Sequence, residues 1–512
     1  MSDHRDQAVR DIFKGAGVVY AGLVIEVGIA FLAQVLAARY LRTADFGGIT
    51  VGVTLVNLGA IVGTAGLDEG LTRYLPRYDR ADRPPLVRRS FLVTLPLSLV
   101  LGAAIALNAE FLSTVVLRDP SVTTSVRVFG ATIPFASVLV LAVGGIRGQE
   151  VSRYRVYVEN LVRPTLRFAL VVVAVVLGLG QTGFALAYAV PYAVGAAVAV
   201  LLLRRTFGET VRSATDGVDR ERAVEVLRYS LTMVVSRSAN FLYRSVDVFL
   251  VLYFIGAGAV GAYGVAYAAA RLVGMFSMAF NFLGAPIASR VEAGTGVDDM
   301  VTAHQPALRW LVILSIPAMT PLLLFPEPFI TGVYRPRYAA GAGALVVLAF
   351  AFGVDNVFNA FGNLLRGIGA SRALAFDSAV GAVANVGLNL LLIPEYGIVG
   401  AAFATLAAYL LMDALKTVQL WYLTGRFPLS APTVTPAIVG APLVGAAYLL
   451  RDAVPTSLPG LVAFGAVFGT VYLVCVVVLL GFEPEEVMLV RSVEERFGVP
   501  LGPLDWVLRR FS

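Results

Sequence analysis

Arg237, Asn240, Arg244 and Asp247 follow one another at steps of three and four residues, inside an apolar run from about Tyr229 to Ile255. On a helix such steps return to the same side, so the four side chains form one polar stripe. A charge near the middle of a bilayer costs several kcal/mol, about 2.5–3.5 on insertion scales, unless it meets a partner or a wet cavity. The stripe therefore implies hydrated space between helices. Guanidinium groups stay charged and bind phosphate oxygens two at a time, which makes Arg237 and Arg244 candidate anion ligands. The plainer reading of both is an internal ion pair with Asp247.

The next apolar run places Tyr263, Tyr267 and Arg271 at i, i+4 and i+8, again on one face. Tyrosine rings stack on sugars and their hydroxyls hydrogen-bond, although ordinary helix packing explains them equally well. Further along, Asp355, Asn359, Asn363 and Arg366 share a side, with Asn356 adjacent. Asparagine amides read hydroxyls, and they also hold membrane helices together. Glu26 and Asp377 sit within spans of their own. A buried carboxylate can exchange a proton or ligate sodium, and either would supply coupling; a salt bridge to a nearby arginine is the alternative for both. Asp247 and Asp355 belong to the same coupling or charge-pair class. Arg163 and Arg167, one turn apart near a span end, are expected to meet anionic headgroups.

The elements that must position these residues are membrane helices. The chain has 512 residues, 58% hydrophobic and 14% charged, with mean hydropathy +0.79. A soluble domain would carry about 25% charged residues. Apolar stretches of roughly 20 residues, each long enough to cross the hydrocarbon core, number about fourteen. The fold class expected is therefore an all-α polytopic membrane protein with little left for a soluble domain. Cys475 is the only cysteine, and His4 and His304 are the only histidines. No disulfide can form within the chain, and a metal centre or histidine-based triad is not expected. No cofactor is expected beyond a coupling ion, H+ or Na+. The net charge of +6 reports loop placement rather than nucleic-acid binding.

With fourteen spans both termini share a side. Placing them in the cytoplasm leaves only Arg39, Arg42, Arg118, Arg335, Arg337 and Arg451 in outward loops, while Arg73–Arg89 and Arg204–Arg228 face inward. That asymmetry is the positive-inside pattern of a multi-pass protein of the cell membrane. The polar start of the chain, with no cleavage site after the first span, reads as a retained helix.

The chain also repeats. Arg147-Gly148 followed by Arg153 recurs as Arg366-Gly367 followed by Arg372, Gly183–Tyr188 matches Gly400–Thr405, and Asp45-Phe46-Gly47 matches Ala259-Val260-Gly261. The offsets are all about 214–219 residues. Two six-helix lobes follow, 1–205 and 228–426, joined by a linker at 206–227. An even number of spans in each half makes their pseudo-twofold axis run along the membrane normal. Two extra spans occupy 427–482, and 483–512 alternates apolar and charged residues as an amphipathic helix on the inner surface would.

Ala38-Arg-Tyr-Leu-Arg-Thr-Ala-Asp-Phe-Gly47 and Gly66-Leu-Asp-Glu-Gly-Leu-Thr-Arg-Tyr-Leu-Pro76 resemble the first-repeat signature of prokaryotic polysaccharide flippases. Leu392-Ile-Pro-Glu-Tyr-Gly-Ile-Val-Gly-Ala-Ala-Phe-Ala-Thr405, preceded by Asn385 and Asn389, is equally similar. The resemblance spans the chain. It implies the polysaccharide transporter (O-antigen flippase-like) branch of the multidrug/oligosaccharidyl-lipid/polysaccharide exporter superfamily. Members move polyprenyl- or dolichyl-linked glycans between leaflets by alternating access, which makes the lipid-linked glycan, membrane lipids and glycosyltransferases of the same pathway the expected partners of a monomer. On that reading Arg237, Arg244, Arg271, Asn240, Tyr263 and Tyr267 would hold substrate. A multidrug/cation antiporter of the same superfamily is the main alternative, and it would want a carboxylate-dominated cavity. A glycan polymerase or ligase would need a large outward loop with catalytic groups, and the sequence has none.

Overall fold

The computed structural model describes residues 23, 25–207, 220–275 and 297–482. The expected amphipathic tail at 483–512, the start of the chain and most of the linker lie outside them. Among the described residues the architecture is all-helical, and nine helices are long and apolar enough to cross a membrane. The other expected spans fall on helical segments as well: residues 25–40, Arg163–Val176, Arg220–Phe254 and Ala257–Arg271. Only helices satisfy their own backbone without water, so an apolar chain of this kind has no other option apart from a closed barrel.

The chain forms two compact units. The first comprises Met1–Val265, Tyr334–Gly341 and Ser378–Ala404; the second comprises Ala266–Val333, Ala342–Asp377 and Thr405–Ser512. In the first unit, Thr123–Gly148 is the central helix, with Thr43–Gly63, Arg83–Leu107 and Gln181–Phe207 packed around it. In the second, Val297–Leu324 is central and carries Ala342–Gly367, Ala431–Leu449 and Leu458–Leu480. Leu308, Leu311, Phe361, Leu365 and Leu420 fill one part of that second core.

Ser371–Thr424 runs for 54 residues and is broken at Gly397, whose φ of 60° and ψ of −139° belong to a region that only glycine enters freely. A continuous helix would set Asp377 and Gln419 about 63 Å apart. They are hydrogen-bonded at 2.5 Å, so the two halves fold back on each other about Gly397, and each is long enough for a span of its own.

The Asp45-Phe46-Gly47 and Ala259-Val260-Gly261 segments meet in space. A side chain at Gly47 would strike the backbone of Ala257 and Gly261, and one at Gly261 would strike the backbone of Thr43 and touch the Gly47 nitrogen at 3.4 Å. Two positions related by an internal repeat touch reciprocally only near their common axis, as in an isologous interface.

Candidate functional site

Helix Arg220–Phe254 carries the predicted stripe, and the structure distributes its members. Arg237 pairs with Asp68, which is 2% exposed while the guanidinium keeps a third of its surface. Burial holds the Asp68 carboxyl above the ordinary carboxylate range, and the Arg237 charge pulls the other way. Asp68 lies in the short helix Leu67–Tyr74, which Gly66 starts in a left-handed conformation (φ 71°) against the backbone of Ser230. Around that pair, Arg147 meets Glu69 at 3.4 Å and Arg73 stacks 4.4 Å from the Tyr229 ring. Arg222 meets Asp82 at 2.8 Å. Asn240 and Arg244 are exposed. Asp247 is buried and accepts a 2.5 Å hydrogen bond from the buried hydroxyl of Tyr263.

A second polar set forms inside the same unit, where Arg163 and Arg167 had been expected at the membrane rim. Pro164 lacks the amide hydrogen that would bond to Asn160, and the backbone from Val156 to Val162 widens into a π-helical stretch, the Arg163 amide bonding to the Val158 carbonyl. Asn160 then donates to Glu26, whose carboxylate is also 3.8 Å from Arg163. On the facing helix Gln181–Phe207, Tyr188 and Tyr192 are one turn apart, like the two arginines. Arg163 lies 5.7 Å from the Tyr192 ring centre and Arg167 lies 5.1 Å from that of Tyr188. Two antiparallel helices, each contributing every fourth residue, produce this ladder automatically. The Tyr192 hydroxyl reaches the exposed Asn57 at 3.5 Å. Arg163 and Glu26 keep about a quarter of their side-chain surface, 27% and 24%, and the Nε of Arg167 is buried with no hydrogen-bond partner. Arg163 and Arg167 face Glu26, and the nearby Glu159 is paired with Arg155 at 2.7 Å, so the set keeps a net positive charge and is flat-faced and incompletely satisfied. It can take an anion on the arginines and a sugar ring against the tyrosines.

In the second unit Arg271 is exposed, and Tyr267 packs edge-on to Phe352 at 5.3 Å. Asn356 is buried between Ser315 and the Val273 carbonyl, at 3.0 and 2.7 Å, and holds helices together. Asn363 bonds to Arg366. Asp355 is half-buried, whereas Asp377 is fully buried beside Gln419.

A family model described as polysaccharide biosynthesis protein matches residues 12–291, more than half of the 512-residue chain. The chain belongs to the polysaccharide biosynthesis protein family. A MatE model matches residues 233–391. Among relatives of this family member, an uncharacterized membrane protein of Methanocaldococcus jannaschii is 22% identical over 433 residues, 77% of this chain and 80% of that one. The "probable low-salt glycan biosynthesis flippase Agl15" of Haloferax volcanii is 25% identical over 189 residues, 37% of this chain and 40% of that one. Among solved structures, the lipid II flippase MurJ in an inward closed conformation superposes with a TM-score of 0.70 at 11% identity, over 90% of this chain and 98% of that one. That likeness shows the fold.

Sequence reasoning missed the site's tyrosines and did not join its arginines to them. Tyr188 and Tyr192 are spaced i, i+4 as Arg163 and Arg167 are, and that matched spacing on consecutive antiparallel spans was the available signal. Asp68 gave no such signal, because its partner is 169 residues away.

Proposed function

We propose that this polysaccharide biosynthesis protein is a flippase, carrying a lipid-linked oligosaccharide or polysaccharide precursor from the inner to the outer leaflet of the cell membrane by alternating access. One observation carries the reading: the Arg163–Tyr192 and Arg167–Tyr188 ladder inside the spans of the first unit. The phosphate or pyrophosphate of such a substrate must shed water to cross, and fixed guanidinium groups replace that water. Arginines one turn apart, with Cβ atoms about 5–6 Å from each other, suit two neighbouring phosphoryl groups. Glu26 lies 3.8 Å from Arg163 and would yield it to an incoming anion. Tyr188 and Tyr192 would take the first sugar. The exposed Asn240 and Arg244 of the first unit would contact glycan there, and Arg271 and Tyr267 of the second unit would do so within their own unit.

The names of Agl15 and MurJ support a lipid-linked glycan as the substrate class. On this reading glycosyltransferases at the cytoplasmic face supply the substrate, both termini are cytoplasmic, one chain suffices, and no bond is made or broken in the substrate. The MatE match favours a second reading, export of cationic drugs. A cationic substrate is a poor match for a set that keeps a net positive charge.

The test is outer-leaflet delivery. With Arg163→Gln and Arg167→Gln combined, lipid-linked glycan accessible to an impermeant glycosidase on spheroplasts should fall at least tenfold, with the protein still in the membrane. A charge-assisted hydrogen bond is worth about 1.5–3 kcal/mol, or roughly ten- to a hundredfold in binding. Unchanged delivery by the double variant would remove the ladder as the substrate site, and ethidium efflux that depends on the protein and survives the double substitution would move the assignment to drug export.

A further inference from the structure

The second unit contains a buried charge cluster that the ladder does not explain. In the folded-back half of Ser371–Thr424, Lys416 Nζ lies 2.9 Å from Asp413 Oδ1, with the two residues 7% and 2% exposed. Asp377, fully buried, accepts a 2.5 Å hydrogen bond from the Gln419 amide. Three oxygens there are buried without any partner: Asp377 Oδ2, Asp413 Oδ2 and Gln419 Oε1. Among the described residues Lys416 is the charged group acting on Asp377, and Lys416 and the half-buried Asp355 are those acting on Asp413. On the packed helix Val297–Leu324, Arg309 donates to the Gly481 carbonyl at 2.7 Å. Leu420 and Leu374 lead from the cluster into the apolar core.

Fully ionised, three carboxylates share one ammonium group. A buried ion without compensation costs several kcal/mol even after relaxation, and buried groups escape that cost by taking up or losing a proton. Lys416 keeps its ammonium form beside Asp413, so the uncompensated charge falls on Asp377. Among the described residues no group of three or more His, Cys, Asp or Glu side chains has the geometry to hold a metal ion.

We propose that Asp377, Asp413 and Lys416 form a proton-binding site in which one proton, taken from water, joins a carboxylate oxygen of Asp377 and reduces the cluster's net negative charge by one. Asp377 takes it because its direct partner is a neutral amide, while Asp413 already holds the ammonium. Release returns the proton to water and leaves Lys416 shared between two buried carboxylates. The proton site stands whatever the cargo; only its coupling to glycan movement rests on the flippase reading.

Infrared difference spectroscopy of the purified full-length protein, carrying carboxyl-labelled aspartate, tests this without any substrate. Wild type should show an aspartic-acid carbonyl band that converts to carboxylate as pH rises, and Asp377→Asn should lose it. Lys416→Met should move the midpoint upward by at least about one pH unit, a tenfold gain in proton affinity. Gln419→Leu, which removes the donor to the ionised form and leaves the ion pair intact, should move it the same way. Size-exclusion profiles identify any variant that fails to fold, and the Gln419→Leu shift then decides. No titrating band in wild type, or midpoints unmoved in both Lys416→Met and Gln419→Leu, would overturn the proposal. Suppression of the band by sodium but not potassium would do the same, by making the ligand a metal cation.

Discussion

Arg163 and Arg167 differ from surface arginines in being stacked on rings inside a span, and that stacking depends on a planar cation. Replacement by lysine keeps the charge and loses both the stack and the two-pronged grip. Arg167→Lys should therefore retain membrane insertion yet lose severalfold in outer-leaflet delivery, whereas charge alone would predict full activity. The Asp68–Arg237 pair gives a prediction of a different kind. Arg237→Ala leaves a carboxylate that is 2% exposed without its cation, at a cost of about 3–5 kcal/mol. The Asp68 carboxyl already sits above its ordinary range through burial, so the folded form takes up a proton more readily than the unfolded one. Stability of the variant should consequently recover as pH falls through the folded-state value, and melting curves at pH 7.5 and 5.5 would show the gap to wild type shrinking. A gap that widens on acidification would remove Asp68 as the cause. The sequence disclosed that intramembrane charges existed, because helical periodicity is local. It could not disclose their partners: Arg237 pairs with Asp68 across 169 residues, and no spacing rule relates two positions on separate helices.

At the scale of elements, hydropathy was a reliable guide, since the bilayer penalises any other arrangement of an apolar chain. What hydropathy did not show is where helices bend, widen or reverse. The π-helical stretch at Val156–Val162 turns Asn160 and Arg163 toward Glu26, and only the following Pro164 hinted at it. The Gly397 break is similar. It lies in a segment quoted for its family resemblance, and its backbone angles explain why a glycine stands there. Gly397→Ala should cost about 1–3 kcal/mol, because alanine is strained at φ 60°, ψ −139°. The variant should melt earlier, and disulfide trapping between Asp377→Cys and Gln419→Cys in a Cys475→Ser background should slow if the fold-back loosens. Unaltered melting and trapping would mean that the reversal is imposed by packing rather than by the residue.

For the molecule as a whole, the reciprocal contact of Gly47 and Gly261 and the distribution of loop arginines have to agree. The repeat reading requires an even number of spans in each half, and the arginine asymmetry requires the Arg73–Arg89 loop inside and the Arg451 loop outside. A single experiment tests both. Cys475 is the only cysteine, so Cys475→Ser gives a clean background for Asp79→Cys and Asp452→Cys, both at exposed positions. An impermeant maleimide added to intact cells should label Asp452→Cys and leave Asp79→Cys untouched until the membrane is opened. Labelling of Asp79→Cys in intact cells would invert the protein. Inversion would carry the ladder and the lysine site with it: a precursor assembled inside would meet the wrong mouth first, and the Asp377 cluster would face the outer proton pool. Labelling of both positions in intact cells would require an even number of spans between the Asp79 and Asp452 loops, whereas two six-helix repeats followed by two further spans place an odd number there.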